Sequence, residues 1–524
     1  MPALVTDQFR ISNATNFINS VNDPSNSYYV FVGLSNPVNG GNGFGRNINW
    51  DTTTPNPTDN IDYLNHYDST MLFGKRIASA SIRRVIRRID WNSGQKYEMY
   101  RPDYSVINPS PVTNSMRLYD ANYYVINSDY RVYICINNGF SGINTTGNVS
   151  QVEPSFTDLE PSKLSDGYTW KYLYTVSPND IIQFDSTDYV TLPNNWDSST
   201  DAQIVSVREN GNSDLNENQI KTIYIKNTGS GYNLENGQSC NIVGDGTGGT
   251  VALEVESASG KITNATVTSG GRGYTFAMID LGTTGSSIPA TYAELIPIIP
   301  PSKGHGFDLY KELGADKILI YARFDDSTKD FPIDTKFAQV GIIKNPQVYD
   351  SLGINTTKYT ASEFSAVYSM RFSSTTGNIS VGDKIQQSVT EGTAYGYVIS
   401  YDTETKVLKY YQDRSIYYGN TGSNQQDYVG ISSLFSNTNT INQFSYTNTV
   451  FKVGGGFNAS VDSSFSGIVT SISNKIINLG VEFTNGLASP EINNKSGEII
   501  YIDNRPTVTR NSRQKEDIKI ILEF

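Results

Sequence analysis

The chain ends on an alternation of apolar and polar positions. Ile518, Ile520, Leu522 and Phe524 alternate with Asp517, Lys519, Ile521 and Glu523. A period of two places the first set on one face of a strand and most of the polar set on the other. Chain ends fray unless tied into a sheet, so the pattern predicts a final strand that is buried late and holds earlier segments together. Just before it, Gly497-Glu-Ile-Ile-Tyr-Ile-Asp-Asn-Arg-Pro506 reads as a second strand. It is expected to stop at Pro506, because proline removes a ladder donor. The remainder of the chain is expected to return to the sheet these strands begin.

From the other end, Phe9, Phe17 and Val21 have helical spacing behind Thr6 or Asp7 as an N-cap, which predicts a helix over 6–21. Ser27–Gly33 is a run of strong β formers, Leu34–Pro37 a turn, and 38–60 a long loop rich in Gly, Asn, Pro and Thr. Ile82-Arg-Arg-Val-Ile-Arg-Arg-Ile-Asp-Trp91 fits an amphipathic helix or a strand. Strands recur at Asn122–Ile126, Arg131–Ile136 and Asp166–Val176. The last puts Tyr168, Trp170, Tyr172 and Tyr174 on one face.

Residues 197–300 change character. Ile223-Tyr-Ile-Lys-Asn-Thr-Gly-Ser-Gly-Tyr232 matches Ala265-Thr-Val-Thr-Ser-Gly-Gly-Arg-Gly-Tyr274, which signals a duplicated unit. Each copy reads as a strand ending in a Gly-x-Gly-Tyr turn whose glycines take positive φ. Gly244-Asp-Gly-Thr-Gly-Gly249 satisfies GxGxxG, but a strand pattern follows it, so it reads as a hairpin turn without a helix to hold a pyrophosphate. A Pro/Gly hinge, Pro297–Asp308, leads to a helical turn at 308–313 and strands at Lys317–Ala322 and Phe337–Ile343. Within 357–490, Val381–Ile385, Tyr395–Tyr401 and Lys406–Tyr411 predict a small barrel or sandwich, and Phe451–Gly456 a strand end running into a turn.

Composition fits this picture. The chain has 524 residues, too many for one core. Ser, Thr, Asn and Gly replace the charged and apolar residues of a helical bundle, so the fold class is mainly β with minor α, in several domains. The 35 tyrosines suit strands and, equally, extensive protein contacts. A net charge of −12 disfavours nucleic acid as a partner. Four arginines in 82–91 could meet phosphates, but the acidic total favours pairing with the chain's own carboxylates or a partner's. No apolar run is long enough to span a membrane, and the N-terminus lacks a signal-peptide pattern. Cys135 and Cys240 form neither CxxC nor a disulfide framework.

Little material for catalysis is present. His66 and His305 are the only histidines, which leaves almost nothing for a His-based triad or metal site. His305, between Gly304 and Gly306, is expected to be structural and to bond a backbone group. Walker A, HExxH and EF-hand patterns are absent. The expectation is therefore no enzyme and no cofactor.

Three separated stretches carry a resemblance. They are Thr6–Pro37, with Phe9-Arg10 and Tyr29-Val-Phe-Val-Gly-Leu-Ser-Asn-Pro37; Arg87-Arg-Ile-Asp-Trp91 with Asp166-Gly-Tyr-Thr-Trp-Lys-Tyr-Leu-Tyr174; and Gly497–Pro506 with the final strand. In this order they resemble the baseplate wedge subunits of contractile-tailed, T4-like bacteriophages, the gene-product-eight type. The likeness covers roughly 1–195, 300–355 and 491–524. It implies a non-enzymatic structural protein of the virion tail baseplate, assembled in the host cytoplasm, with a pair of copies in each wedge. Its implied partners are the other wedge proteins, central and fibre-bearing. The implied organisation is a discontinuous core (1–196, 301–356, 491–524) with two inserted β modules, 197–300 and 357–490. Arg87, Arg88, Trp91, Asp166, Trp170, Asn504, Arg505 and Pro506 then become fold-defining or interface positions. The competing readings are a glycan or receptor binder using the aromatic stripe and the inserted modules, and a tail-associated polysaccharide depolymerase using a carboxylate pair.

Overall fold

The computed structural model describes residues 6–34, 50–57, 67–211, 217–281, 289–325, 336–350, 355–390, 392–412, 442–511 and 514–524. His66 and most of the 38–60 loop lie outside the described residues. Strands dominate, and the chain divides into two compact units. One comprises Met1–Asn16, Arg83–Leu319 and Ile521–Phe524, the other Phe17–Ile82 and Ile320–Ile520.

The helix Asp7–Asn22 starts where the cap pattern placed it. Thr6 Oγ1 accepts from the Phe9 N–H at 3.3 Å. Its buried stripe is Ile11, Ala14, Ile18 and Val21, whereas Phe9 is 57% exposed. The expected face was therefore wrong at its first position: Phe9 belongs to the opening turn, and the stripe begins at Ile11.

In the first unit a four-stranded sheet orders Tyr124–Ile126, Arg131–Asn137, Thr169–Thr175 and Ser162–Lys163. Val132 faces Tyr174 and Tyr133 faces Tyr172. Trp170 through Tyr174 are all buried, so this strand is covered on both faces rather than on one. The arginine-rich segment is a strand, Ile82–Arg87, paired with Tyr189–Leu192. Its β-branched residues and buried Val85 and Ile86 suit a sheet better than a helix.

The 223–297 region contains a four-stranded sheet (Lys261–Arg272, Thr247–Glu256, Gln238–Gly244, Ala277–Asp280) and the pair Ile223–Asn227 with Glu294–Pro297. The two repeat copies match in detail. Gly229 and Gly231 have φ of 60° and 79°, and their counterparts Gly271 and Gly273 have 59° and 74°. Ile225 pairs with Leu295, and the matching Val267 pairs with Val251. The Tyr232 hydroxyl accepts from Ala293 N–H at 2.8 Å, and the Tyr274 hydroxyl from Gly249 N–H at 3.0 Å. Each donor stands two residues before the paired position, so the duplication includes the partner strand. Asp245–Gly246 is the hairpin turn expected from GxGxxG. Asp245 accepts from the Thr275 hydroxyl first, and also from Phe276 N–H and Thr275 N–H, and these bonds hold its carboxyl down at about 2.

In the second unit a five-stranded sheet orders Glu363–Ser365, Met71–Arg76, Tyr28–Gly33, Lys336–Lys344 and Glu498–Thr509. The last strand does not stop at Pro506. It runs on to Thr509, and its register against Lys336–Lys344 slips between Phe337 and Gln339. Pro506 lies in that bulge on an edge strand, where a missing N–H costs no ladder bond. Nor do the two C-terminal strands share a sheet. Glu516–Glu523 lies in a different sheet, beside Lys317–Phe324. Its alternation holds, with Ile520 buried, Ile518 and Leu522 half-buried, and Lys519 and Ile521 exposed.

The expected barrel or sandwich is a barrel. Strands Val407–Tyr411, Gly392–Asp402, Lys384–Val389, Val450–Lys452, Phe457–Val461 and Tyr368–Gly377 follow one another, and the first pairs with the last. Closure removes the free edges a small sheet would expose. Met370, Phe372, Ile385, Val398, Leu408, Phe444 and Val450 fill its core. Val381–Gly382 precedes the strand that begins at Lys384, because Gly382 turns there at φ 86°. Gly454, Gly455 and Gly456 all take positive φ after the Val450–Lys452 strand, as the glycine run predicts.

Candidate functional site

Two of the sequence-predicted positions, Trp91 and Asp166, meet through Ser150. Trp91 Nε1–H donates to Ser150 Oγ at 3.0 Å, and Ser150 Oγ–H donates to Asp166 Oδ2 at 3.2 Å. Asp166 also accepts from Gln151 N–H (2.9 Å) and Val152 N–H (3.1 Å), and through Oδ1 from Tyr168 N–H (3.1 Å). Gly167 takes φ 92°, which lets the chain turn into the strand. Tyr168 then stacks on Trp170, with centroids 5.4 Å apart and planes 10° apart, and donates to Asn148 O at 2.8 Å. The Asp-Gly-Tyr-x-Trp pattern is thus a loop lock that seats two rings in the core. Trp170 is 0% exposed, so the aromatic stripe is no platform for a sugar; the packed-sheet reading of it holds.

The arginines divide. Arg83 pairs with Asp180 (2.8 Å), and Arg88 with Asp90 and Asp185 (2.9 Å each), as the acidic total favoured. Arg87 donates instead to the carbonyls of Asp120 and Ala121, and Arg84 to that of Asn194, with its guanidinium 4.0 Å from the Tyr310 ring centroid. Asn504, Arg505 and Pro506 lie in the second unit. Asn504 accepts from Gln339 Nε2 (3.2 Å) and donates to Pro55 O (2.9 Å), which holds the 50–57 segment; Arg505 pairs with Asp503 at 2.5 Å.

The first unit also contains a cleft of about 530 Å³, lined by Ile11, Thr15, Trp196, Asp197, Arg208, Phe307, Tyr310 and Lys311 among others. Trp196 fixes its wall. Its Nε1–H is shared between the carbonyls of Gly306 (3.1 Å) and Phe307 (3.0 Å), and its backbone N–H donates to the Tyr310 hydroxyl. Arg208 donates to Trp196 O at 2.7 Å, and Lys311 pairs with Asp308. An aromatic floor with a self-paired charged rim can seat a side chain or short segment of another molecule.

The same Gly304–Lys311 stretch borders a second cavity of about 20 Å³, enough for one water. Lys171 and His305 line it. His305 Nδ1 is 2.5 Å from Glu312 Oε1, so this histidine bonds a buried carboxylate rather than the backbone group expected. Lys171 Nζ donates to Leu159 O (2.6 Å) and Asn210 Oδ1 (2.8 Å), and burial pushes its pKa down to about 8. Neither Lys171 nor Glu312 was singled out from sequence. The one available signal was a lysine inside an otherwise aromatic strand run. Among the described residues, no group of three or more His, Cys, Asp or Glu side chains is placed to hold a metal ion. Among the described residues no helix is long and apolar enough to cross a membrane.

Comparison with known proteins gives a distant similarity. No protein-family model matches the chain. It is similar to the baseplate wedge protein gp8 of Enterobacteria phage T4, with 23% identity over 219 residues, covering 36% of this chain. The match spans 60% of the length of that relative. A similarity this partial supports a relation at the level of phage baseplate proteins.

Proposed function

We propose that the chain is a structural component of a phage tail baseplate wedge, joining the central wedge scaffold to peripheral or fibre-bearing proteins. The similarity to the T4 wedge protein carries this reading. The internal roles of Trp91, Asp166, Trp170 and Asn504 support it: the pattern residues build the fold, which leaves the surface for assembly. In this reading the protein acts without catalysis or cofactor, pairs with a second copy, and resides in the virion tail. The 197–300 and 357–490 regions are insertions that supply docking surfaces. On contraction the subunit moves as a rigid body between two sets of contacts.

The test is sedimentation with light scattering, first on the protein alone and then with the other wedge candidates of its own source. A dimer entering a larger defined complex is expected. A monomer that joins none of them overturns the proposal.

A further inference from the structure

Two turns of the first unit share a sequence and a geometry. Ser105-Val-Ile-Asn108 and Ser141-Gly-Ile-Asn144 each close through reciprocal backbone bonds between Ser and Asn, all 3.1 Å. In each the isoleucine points to solvent: Ile107 is 95% exposed and Ile143 is 82%, with Val106 at 74%. Tight two-residue connections favour Asn, Asp and Gly, whose polar or absent side chains tolerate exposure. Aliphatic residues at both tips break that rule, and local rules are broken where function requires it.

The turns stand on a common base. The Tyr224 ring lies 3.3 Å from the Arg101 guanidinium and 4.7 Å from the Phe140 ring. Arg101, 1% exposed, grips Asp103 through two bonds of 3.0 and 2.8 Å, and Asn108 Nδ2–H donates to the same carboxylate at 2.6 Å. On the other side, Gly142 N–H donates to Thr263 O at 2.8 Å. A Cβ there would stand 2.6 Å from Thr228 Cγ2 and 2.9 Å from Ile262 O. That close approach explains why glycine occupies the place that Val106 holds in the first turn. Both tips are therefore rigid and already ordered, which lowers the entropy cost of binding.

The turn segments themselves are uncharged, and the Asp103 carboxylate at their base is paired with Arg101. No Asp, Glu, Lys or Arg occurs from Tyr104 to Met116 or from Val132 to Val152, in a chain that is 18% charged. Neutral aliphatic tips whose flanking rings, Tyr104 and Phe140, are buried do not match a membrane interface, which recruits exposed aromatic and basic residues. They match the uncharged centre of a permanent protein interface. We infer that the twin Ser-x-Ile-Asn turns are a two-pronged docking surface that seats Ile107 and Ile143 in apolar pockets of a neighbouring protein subunit with an uncharged face.

The choice of binding partners for the test rests on the baseplate reading; the surface itself does not. Each other tail structural protein of the same virus is purified singly and titrated with the full chain. The variants are Ile107→Asp, Ile143→Asp and the double change, with Ile182→Asp, 77% exposed elsewhere in the unit, as control. All replace exposed side chains, so unchanged urea midpoints confirm folding. Expected are about tenfold weaker binding or more for each single variant, near-complete loss for the double, and no change for the control. Affinity is expected to hold from about 0.05 to about 0.5 M salt, as an uncharged contact requires. A double variant that binds like the parent overturns the surface and leaves the baseplate reading intact. No complex with any tail protein overturns both. Self-association, or flotation with phosphatidylcholine vesicles, that the double change abolishes would show a second copy or lipid as the occupant and overturn the assignment.

Discussion

The tyrosines of the first unit and those of the barrel in the second serve different ends. In the first unit they reach through the core to backbone carbonyls far away in sequence. Tyr123 donates to Glu312 O (2.7 Å), Tyr124 to Arg87 O (2.6 Å), Tyr133 to Phe156 O (2.6 Å) and Tyr174 to Thr191 O (2.9 Å). In the barrel of the second unit Tyr368 and Tyr410, paired across the closing strands, stack their rings at 5.5 Å and 23°. A core with much irregular chain around it has carbonyls without ladder partners, and a buried hydroxyl can satisfy one while the ring fills space. A closed barrel pairs most of its backbone already, so its tyrosines contribute packing. The abundance of tyrosine, which the composition left open between strands and interfaces, is here substantially a matter of the interior.

Three changes test that contrast, in descending order of effect. Trp170→Ala removes a ring that is fully buried and stacked on Tyr168; a loss of about 3–5 kcal/mol is expected in urea unfolding. Hydrogen exchange should show protection lost in Arg131–Asn137 and Thr169–Thr175 while Tyr368–Gly377 and Val407–Tyr411 keep theirs. Equal loss in the barrel strands would mean that the units unfold as one, and the comparison would fail. A finer probe is hydroxyl deletion. Tyr123→Phe orphans the Glu312 carbonyl and should cost about 1–2 kcal/mol, whereas Tyr410→Phe keeps its stacked ring and should stay within about 0.5 kcal/mol. Equal costs would erase the distinction.

The smallest effect is a pH slope confined to the first unit. Burial lowers the Lys171 amine from 10.5 to about 8. Between these values the unfolded chain holds the proton and the folded chain releases it, so stability gains from this group as pH rises from about 8. The full penalty of the buried charge is present below about 8. The gain should approach about 1 kcal/mol per pH unit, read as the difference in slope between the parent and Lys171→Met over about pH 8 to 9.5. Identical slopes would refute it.

Side-chain period and backbone preference are local properties, and the elements they govern were legible in the sequence. The Thr6 cap, the Tyr28–Gly33 and Arg131–Asn137 strands, the alternation at Ile518 to Leu522 and the paired glycines at 229/231 and 271/273 needed only neighbouring residues to be read. The tertiary structure decided what depends on distant partners. It set the bulge that carries Pro506 through a strand, and the separate sheets of the two C-terminal strands. It also covered the second face of the Trp170 strand, and closed the barrel between Tyr368 and Tyr410. The same holds for the candidate positions. That Asp166 would lock a loop was implicit in Asp-Gly, but that Ser150 would join it to Trp91, or that Glu312 would meet His305, was not. A sequence pattern states which face a residue shows, whereas the group that meets that face is chosen by the packing of the whole chain.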